Sequence, residues 1–103
     1  MSLTRDFSET VAEACRDNPE FRKGLLVELV ESLLECDLCT ALGMLRSYIE
    51  GTGSLNEVAS TYGVQPKALQ GMIRYEGKMD IRDLCSIIKI CQDREGFKIE
   101  VSL

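Results

Sequence analysis

The 103-residue chain contains no histidine. This absence removes the usual imidazole general base, the Ser-His-Asp triad and every zinc site that needs a histidine ligand. Long apolar runs are also missing, and none approaches the roughly 20 residues that cross a bilayer. The opening residues, MSLTRDFSET, lack the basic and apolar regions of a signal peptide. We therefore expect a cytoplasmic protein that does not enter a membrane.

Cysteines are few and odd in number, and they follow no disulfide framework. In a reducing cytosol we expect most of them to be buried small apolar residues. Cys36 and Cys39 form a CxxC motif, but a structural zinc site needs four ligands and a redox CxxC usually follows a strand. A metal or redox domain stays open as an alternative, although we expect neither a metal nor a cofactor. The five cysteines are Cys15, Cys36, Cys39, Cys85 and Cys91.

The composition favours one small acidic domain. Apolar residues make up 45% of the chain and charged residues 28%, with a formal net charge of −5. A chain of this length is too short for two independent cores, and this balance can both fill and cover one. We therefore predict a single domain over residues 1–103. Taken alone, the net negative charge argues against a nucleic-acid partner.

Helical spacing dominates the first half of the chain. After the Asn18-Pro19 break, a helix with an N-cap and a first-turn proline runs through FRKGLLVELVESLLE, and Leu34 belongs to its apolar stripe. Asp37 caps a third helix, which ends at glycines, and Ser54 caps the next. Residues 1–51 are thus predicted to form acidic N-terminal helices.

Shorter elements follow from Ser54. Two short helices separated by a turn at Gly63 occupy residues 54–75, and a last helix that begins at Asp80 occupies residues 80–95. The tail, residues 97–101, alternates apolar and polar residues, which is the period of a half-buried strand. One strand must pair with another, and a second copy across a dimer axis would supply it. The predicted fold class is all-α with a short C-terminal β-strand.

Residues 55–74 match the pattern of a helix-turn-helix. Two short helices that pack at a sharp angle need a small residue at their contact, and Ala59 meets that need. Four residues later the turn needs a positive φ, which Gly63 adopts without steric cost. The apolar positions that face inward are predicted to be Val58, Tyr62, Val64, Leu69 and Met72, which with Ala59 and Gly63 form the structural residues of the motif.

The same pattern leaves an outward set of polar, basic and small residues. Glutamine pairs with adenine, arginine with guanine or phosphate, and lysine with phosphate or guanine. Small residues would let the second helix lie deep in a major groove. The sequence therefore predicts that double-stranded DNA is contacted by Gln65, Lys67, Ala68, Gln70, Gly71, Arg74 and Lys78.

The net charge of −5 is unevenly distributed. Residues 1–51 hold ten acidic and five basic residues, whereas residues 52–103 hold seven of each. Between residues 64 and 82 there are four basic residues and two acidic ones, so the predicted DNA-binding region is locally cationic. Because this excess is modest, we expect a homodimer that doubles the phosphate contacts on a palindromic site.

Several blocks of the chain resemble a known family. LTRDFSET, NPEFRKGLL, the run from LLECDLCT to QPKALQGMI, and the ending REGFKIEV are similar to the addiction-module antidote family of Xre/Cro-type regulators. These are bacterial antitoxins that partner RelE/HigB-like toxins, and the resemblance extends from Leu3 to Val101. It implies a lambda-repressor-like helix-turn-helix domain that binds operator DNA, represses transcription of its own operon and holds a small basic toxin inactive.

Carried over by position, the family's recognition helix falls on Gln65 to Tyr75. The block from Pro66 to Leu69 matches a Pro-Lys-Ser-Leu block of the family, but Ala68 replaces the serine and cannot hydrogen-bond a phosphate or base. The family usually continues with Arg-Met-Leu, whereas this chain has Gly71 in place of the arginine. The resemblance therefore implies an altered operator affinity or sequence and an unchanged fold.

Two further functions stay open from the residues alone. A solitary Xre-type regulator would bind DNA without a toxin. A protein-interaction module would instead use the acidic N-terminal helices to bind a basic partner, although solubility explains that acidity equally well. An enzyme is not expected, because Glu28, Glu31 and Glu35 follow the ordinary spacing of a solvated helix face and no nucleophile has an identifiable base.

Overall fold

The computed structural model describes residues 13–74 and 79–100. Within these ranges the chain forms helices and no β-strand, which confirms the all-α class. No helix in these ranges is both long and apolar enough to cross a membrane. Residues 13–17 are helical, and five further helices have both ends described: α1 Pro19–Leu34, α2 Leu38–Thr52, α3 Leu55–Tyr62, α4 Pro66–Arg74 and α5 Ile81–Glu95.

Short polar side chains begin three of the helices at the predicted residues. The Asn18 side chain accepts a hydrogen bond from the Phe21 amide at 3.2 Å, and a proline occupies the first turn of α1. Asp37 caps α2 and Asp80 caps α5 in the same way, each accepting from the amide three residues later. These caps satisfy amides that have no partner within the helix, so they fix where each helix begins.

Ser54 departs from this pattern. It occupies the N-cap position of α3, but its side chain makes no capping hydrogen bond. Its hydroxyl oxygen lies 2.7 Å from the hydroxyl of Thr52 in the last turn of α2, and only 2% of the residue is exposed. Ser54 is therefore the N-cap residue of α3, as predicted, and its carbonyl accepts the first helical hydrogen bond from Val58 at 2.8 Å. Its hydroxyl does not contribute to the cap, because the preceding helix ends so close that Thr52 bonds to it.

One apolar core lies between α1, α2 and α5, and α3 and α4 close it. Leu34 does not belong to this core, although the sequence predicts it there, and it is 65% exposed. It lies about 130° around α1 from the centre of the side that carries the buried leucines, since each residue advances a helix by roughly 100°. The largest fully buried side chains are Tyr48, Leu26, Leu29, Leu42, Leu45, Ile49, Leu69, Leu84, Ile87 and Val58.

A polar network crosses the edge of the core at the end of α5. The carboxylate of Glu95, whose side chain is 4% exposed, accepts hydrogen bonds from Arg22 of α1 at 2.9 and 3.0 Å and from the Tyr48 hydroxyl of α2 at 2.5 Å. The neighbouring Arg94 pairs with Glu57 of α3 at 2.6 Å. Four helices are therefore joined through two adjacent residues of α5, and no periodicity in the sequence predicts this.

The tail does not form the predicted strand. Residues 97–100 have no regular secondary structure, and residue 101 lies outside the described ranges. The Ile99 amide donates to the Gln92 side chain of α5 at 2.7 Å, and the Lys23 ammonium of α1 lies 5.8 Å from the centre of the Phe97 ring. In a single chain the tail thus packs against α1 and α5, and strand pairing across a dimer axis stays a prediction.

Replacing Glu95 tests the network. We expect Glu95→Ala to lower the free energy of unfolding by about 2 to 4 kcal/mol, because Arg22 and the Tyr48 hydroxyl lose their acceptor in a nearly dry site. Glu95→Gln should cost less, since an amide oxygen still accepts hydrogen bonds. Urea unfolding followed by circular dichroism measures both. Glu28→Ala on the exposed face of α1 is the control and should change stability by less than about 0.5 kcal/mol; equal effects at Glu95 and Glu28 would contradict the network's role.

The dependence of stability on alkaline pH tests the burial of the Tyr48 hydroxyl and the Cys91 thiol. Burial, together with the hydrogen bond to Glu95, raises the pKa of Tyr48, and burial raises the pKa of Cys91 to about 12. A pKa raised in the folded state gives stability that is complete below the ordinary pKa and is lost as pH rises through the folded value. We therefore expect the urea midpoint to hold up to about pH 9 and to fall from there toward pH 12. A constant midpoint over that window would contradict this assignment.

Candidate nucleic-acid interface

The joint between α3 and α4 buries the residues that the sequence predicts at its centre. Val58, Ala59 and Leu69 are fully buried, and Ile73 of α4 is buried beside them. Gly63 ends α3 with a φ of 95°, in the left-handed region that favours glycine, and its amide donates to the Ala59 carbonyl at 2.8 Å. Two short helices are thus held together by apolar contacts across a turn of three residues.

The remaining inward predictions are half-buried and lie at the edge of this joint. Val64 and Met72 pack against the core without being closed off from solvent. The Tyr62 hydroxyl reaches α5 and donates a hydrogen bond to Asp83. This hydrogen bond, with a smaller contribution from burial, raises the pKa of Tyr62. Tyr62 therefore ties α3 to α5, a role that its apolar spacing does not predict.

Five of the seven residues predicted to face outward are exposed, at the start of α4 or along it. Gly71 is half-buried, and Lys78 lies outside the described ranges. Lys67 and Arg74 are the charged residues of α4, and the helix contains no carboxylate. We call the exposed members of the set the α4 surface: Gln65, Lys67, Ala68, Gln70 and Arg74.

The two ends of α4 are fixed differently. At the start, the Gln65 carbonyl accepts the first helical hydrogen bond from Leu69 at 3.1 Å, and the first turn has no acidic residue. Amides at such an end favour an approaching anion. At the other end, Arg46 of α2 donates to the Ile73 carbonyl at 2.9 Å. Arg46 positions α4 against α2, and no signal in the sequence identifies it.

A shallow depression of about 330 Å³ borders the α4 surface where α2, α3 and α4 meet. Gln70 and Asn56 line it with amide groups, and Glu50 at the end of α2 adds a carboxylate. This is an electrostatic disadvantage for a DNA-binding surface, because it places a negative charge beside Gln70. The sequence does not reveal it, since Glu50 precedes the helix-turn-helix pattern.

The cysteines do not lie where we expected them. Cys15 and Cys91 are buried, but Cys36, Cys39 and Cys85 are exposed. The expectation that most are buried is wrong, because Cys36 lies in the turn between α1 and α2, Cys39 lies on an exposed part of the first turn of α2, and Cys85 lies on the solvent face of α5. Within the part of the chain that the structure describes, no cluster of three or more Cys, Asp or Glu side chains is arranged to hold a metal ion.

Cys36 has an unusual backbone conformation. Its φ is 63°, and it is the non-glycine residue with positive φ in the described ranges. The Asp37 amide donates to the Ser32 carbonyl at 2.9 Å. This hydrogen bond is typical of helix ends at which the left-handed residue, here Cys36, is usually glycine. The thiol is therefore presented at an exposed helix end.

No family model, no curated protein and no solved structure matches this chain. The resemblance to addiction-module antidotes therefore rests on the sequence blocks quoted above.

Gly71 gives a direct test of how α4 is built. A Cβ added there would meet no atom within 4 Å, so packing does not require glycine. We expect Gly71→Ala to raise the free energy of unfolding by about 1 kcal/mol, the difference in helix propensity. Gly63→Ala is the matched control and should destabilise by about 1 kcal/mol, since its φ is in the left-handed region. Thermal unfolding measures both, and destabilisation by Gly71→Ala would contradict the placement of α4.

Proposed function

We propose that the protein is a DNA-binding transcriptional regulator of the Xre/Cro type, in which α3 and α4 form the helix-turn-helix of a lambda-repressor-like domain. The observation that carries this proposal is the α4 surface. It is exposed, polar and basic, it lacks carboxylates within the helix, and it belongs to a chain with a net charge of −5. Acidic proteins do not need such a surface for solubility.

The packing of α4 supports its role as the recognition helix. Leu69 and Ile73 hold one side of the helix in the core, so Lys67 and Arg74 on the other side are exposed. Gln65, Lys67 and Arg74 then carry the groups that pair with base edges and phosphates. Ala68 is exposed and small, which permits close approach to the floor of a major groove.

Charge supports a dimeric binding unit. Two cations on α4 neutralise few phosphates, and affinity for DNA rises steeply with each phosphate contact. A homodimer would place two α4 helices on the half-sites of a palindromic operator.

The acidic half and the resemblance together support an antitoxin. In this proposal the regulator represses its own operon in the cytoplasm and neutralises a small basic toxin, which the acidic N-terminal helices would attract. A protein-interaction module without DNA binding is the second candidate. Two features favour this second candidate. Glu50 lies beside Gln70, and Gly71 stands where the family carries a basic residue.

An electrophoretic shift assay on the DNA upstream of the gene tests the proposal. We expect salt-sensitive binding by the wild type and a loss of about 1 to 3 kcal/mol for Arg74→Ala. That loss should depend on the base pair if Arg74 contacts a base, and should be uniform across sequences if it contacts phosphate. Glu50→Gln should strengthen binding, because a repelling carboxylate is removed.

Lys89→Ala on α5 is the matched control, since it removes one exposed cation that lies outside the α4 surface and pairs with Asp93. It should leave DNA binding close to that of the wild type. Absence of salt-sensitive binding by the wild type would reject the DNA-binding role. Equal losses for Arg74→Ala and Lys89→Ala would reject α4 as the contact surface.

A further inference from the structure

A second surface lies between α1 and the tail, on the side of the molecule formed by neither α3 nor α4. It is an open groove of about 430 Å³. Its apolar lining consists of Val27, Val30 and Leu34 from α1 and Ile99 from the tail. Because Ile99 is held by its amide hydrogen bond to Gln92, the second wall of the groove is fixed to α5.

The apolar residues of α1 form a regular seam. Val27, Val30 and Leu34 are spaced by three and four residues, which is the spacing by which one helix packs along another. Val27 and Val30 are half-buried, and Leu34 is 65% exposed. Within the described ranges nothing covers this seam, and its spacing suits an amphipathic helix better than an extended chain.

Carboxylates surround the seam. Glu31, Glu35 and Glu100 line the groove and are exposed, and none of them forms a salt bridge within the described ranges. Among residues 13–74 and 79–100, no lysine or arginine lines the groove. The groove therefore combines an apolar floor with a negatively charged rim. A ligand that complements it carries apolar side chains flanked by positively charged ones.

We propose that this groove binds a cationic amphipathic helix of a protein partner, with apolar side chains against Val27, Val30 and Leu34 and lysine or arginine side chains against the glutamates. The inference deepens the proposed function and rests on it for the existence of a basic partner. It assigns that partner to a surface separate from α4, so that DNA and protein can be bound at the same time.

Charge also argues against the two other obvious occupants. A second copy of this chain carries a net charge of −5 and would bring its own acidic helices toward the glutamates. Nucleic acid would bring phosphates toward the same carboxylates. A cationic helix is attracted by the glutamates that repel a second copy and nucleic acid.

The test uses the full-length protein and a fluorescent model peptide of about four helical turns, with leucines at three- and four-residue spacing and arginines flanking them. We expect this peptide to bind, with affinity falling as salt is raised. A peptide with glutamates in place of the arginines, or serines in place of the leucines, should not bind. Fluorescence anisotropy measures each affinity.

Paired protein variants separate the groove from general charge attraction. The double variant Glu31→Gln with Glu35→Gln should bind the arginine–leucine peptide with about tenfold lower affinity, because two charge contacts are lost. Glu13→Gln with Glu28→Gln removes the same charge from exposed residues that do not line the groove, and should change affinity by less than about twofold. Leu34→Ser should weaken the peptide without loss of folding, because the side chain is already exposed.

Four outcomes would overturn the proposal: no binding of the arginine–leucine peptide by the wild type, equal losses in the two double variants, full binding of the serine peptide, or loss of self-association in Leu34→Ser by sedimentation. The last would assign the groove to a second copy.

The shift assay on the Glu31 and Glu35 double variant keeps the two proposals apart. We expect it to bind upstream DNA as the wild type does, so failure of peptide binding alone rejects the groove, and failure of wild-type DNA binding alone rejects the α4 surface.

Discussion

The placement of Glu95 constrains the rest of the structure. A carboxylate with 4% of its side chain exposed is costly unless hydrogen bonds replace its water, and here Arg22 and the Tyr48 hydroxyl replace it. Meeting that requirement brings α1, α2 and the end of α5 to one point. Arg94, the next residue back, extends the connection to Glu57 of α3. Three helices, α1, α2 and α3, therefore converge on the C-terminal end of α5.

Both surfaces with proposed functions depend on α5 being held there. Arg94 and Asp83 anchor α3 at Glu57 and Tyr62, and α3 in turn carries α4 through their buried joint. Gln92 holds the tail, which forms one wall of the acidic groove. The α4 surface and the groove are thus positioned by the same helix while lying on different elements. This arrangement suits a protein that binds DNA with one surface and a basic partner with another.

The sequence predicts the elements of this fold well because their signals are local. Asn18, Asp37 and Asp80 cap the helices expected of them, and Gly63 supplies the turn, since each needs only residues three or four positions away. Leu34 is exposed where the sequence predicts a core residue, the tail is irregular where the sequence predicts a strand, and the Ser54 hydroxyl bonds to Thr52. Each of these features depends on an adjoining or distant element. The Glu95 network joins residues up to 73 positions apart, and no periodic pattern carries that information. For the site, spacing predicted the inward and outward sides of α4, whereas Arg46 and Glu50 emerged only from the packing of α2.

The central claim is that α4, rather than the acidic helices, contacts DNA. It is tested most directly by following the amide resonances of isotope-labelled full-length protein during titration with its upstream DNA. The account predicts shifts concentrated on residues 65–74, with residues 27–35 of the groove unchanged. Shifts concentrated on α1, or an unchanged α4 at saturating DNA, would contradict it.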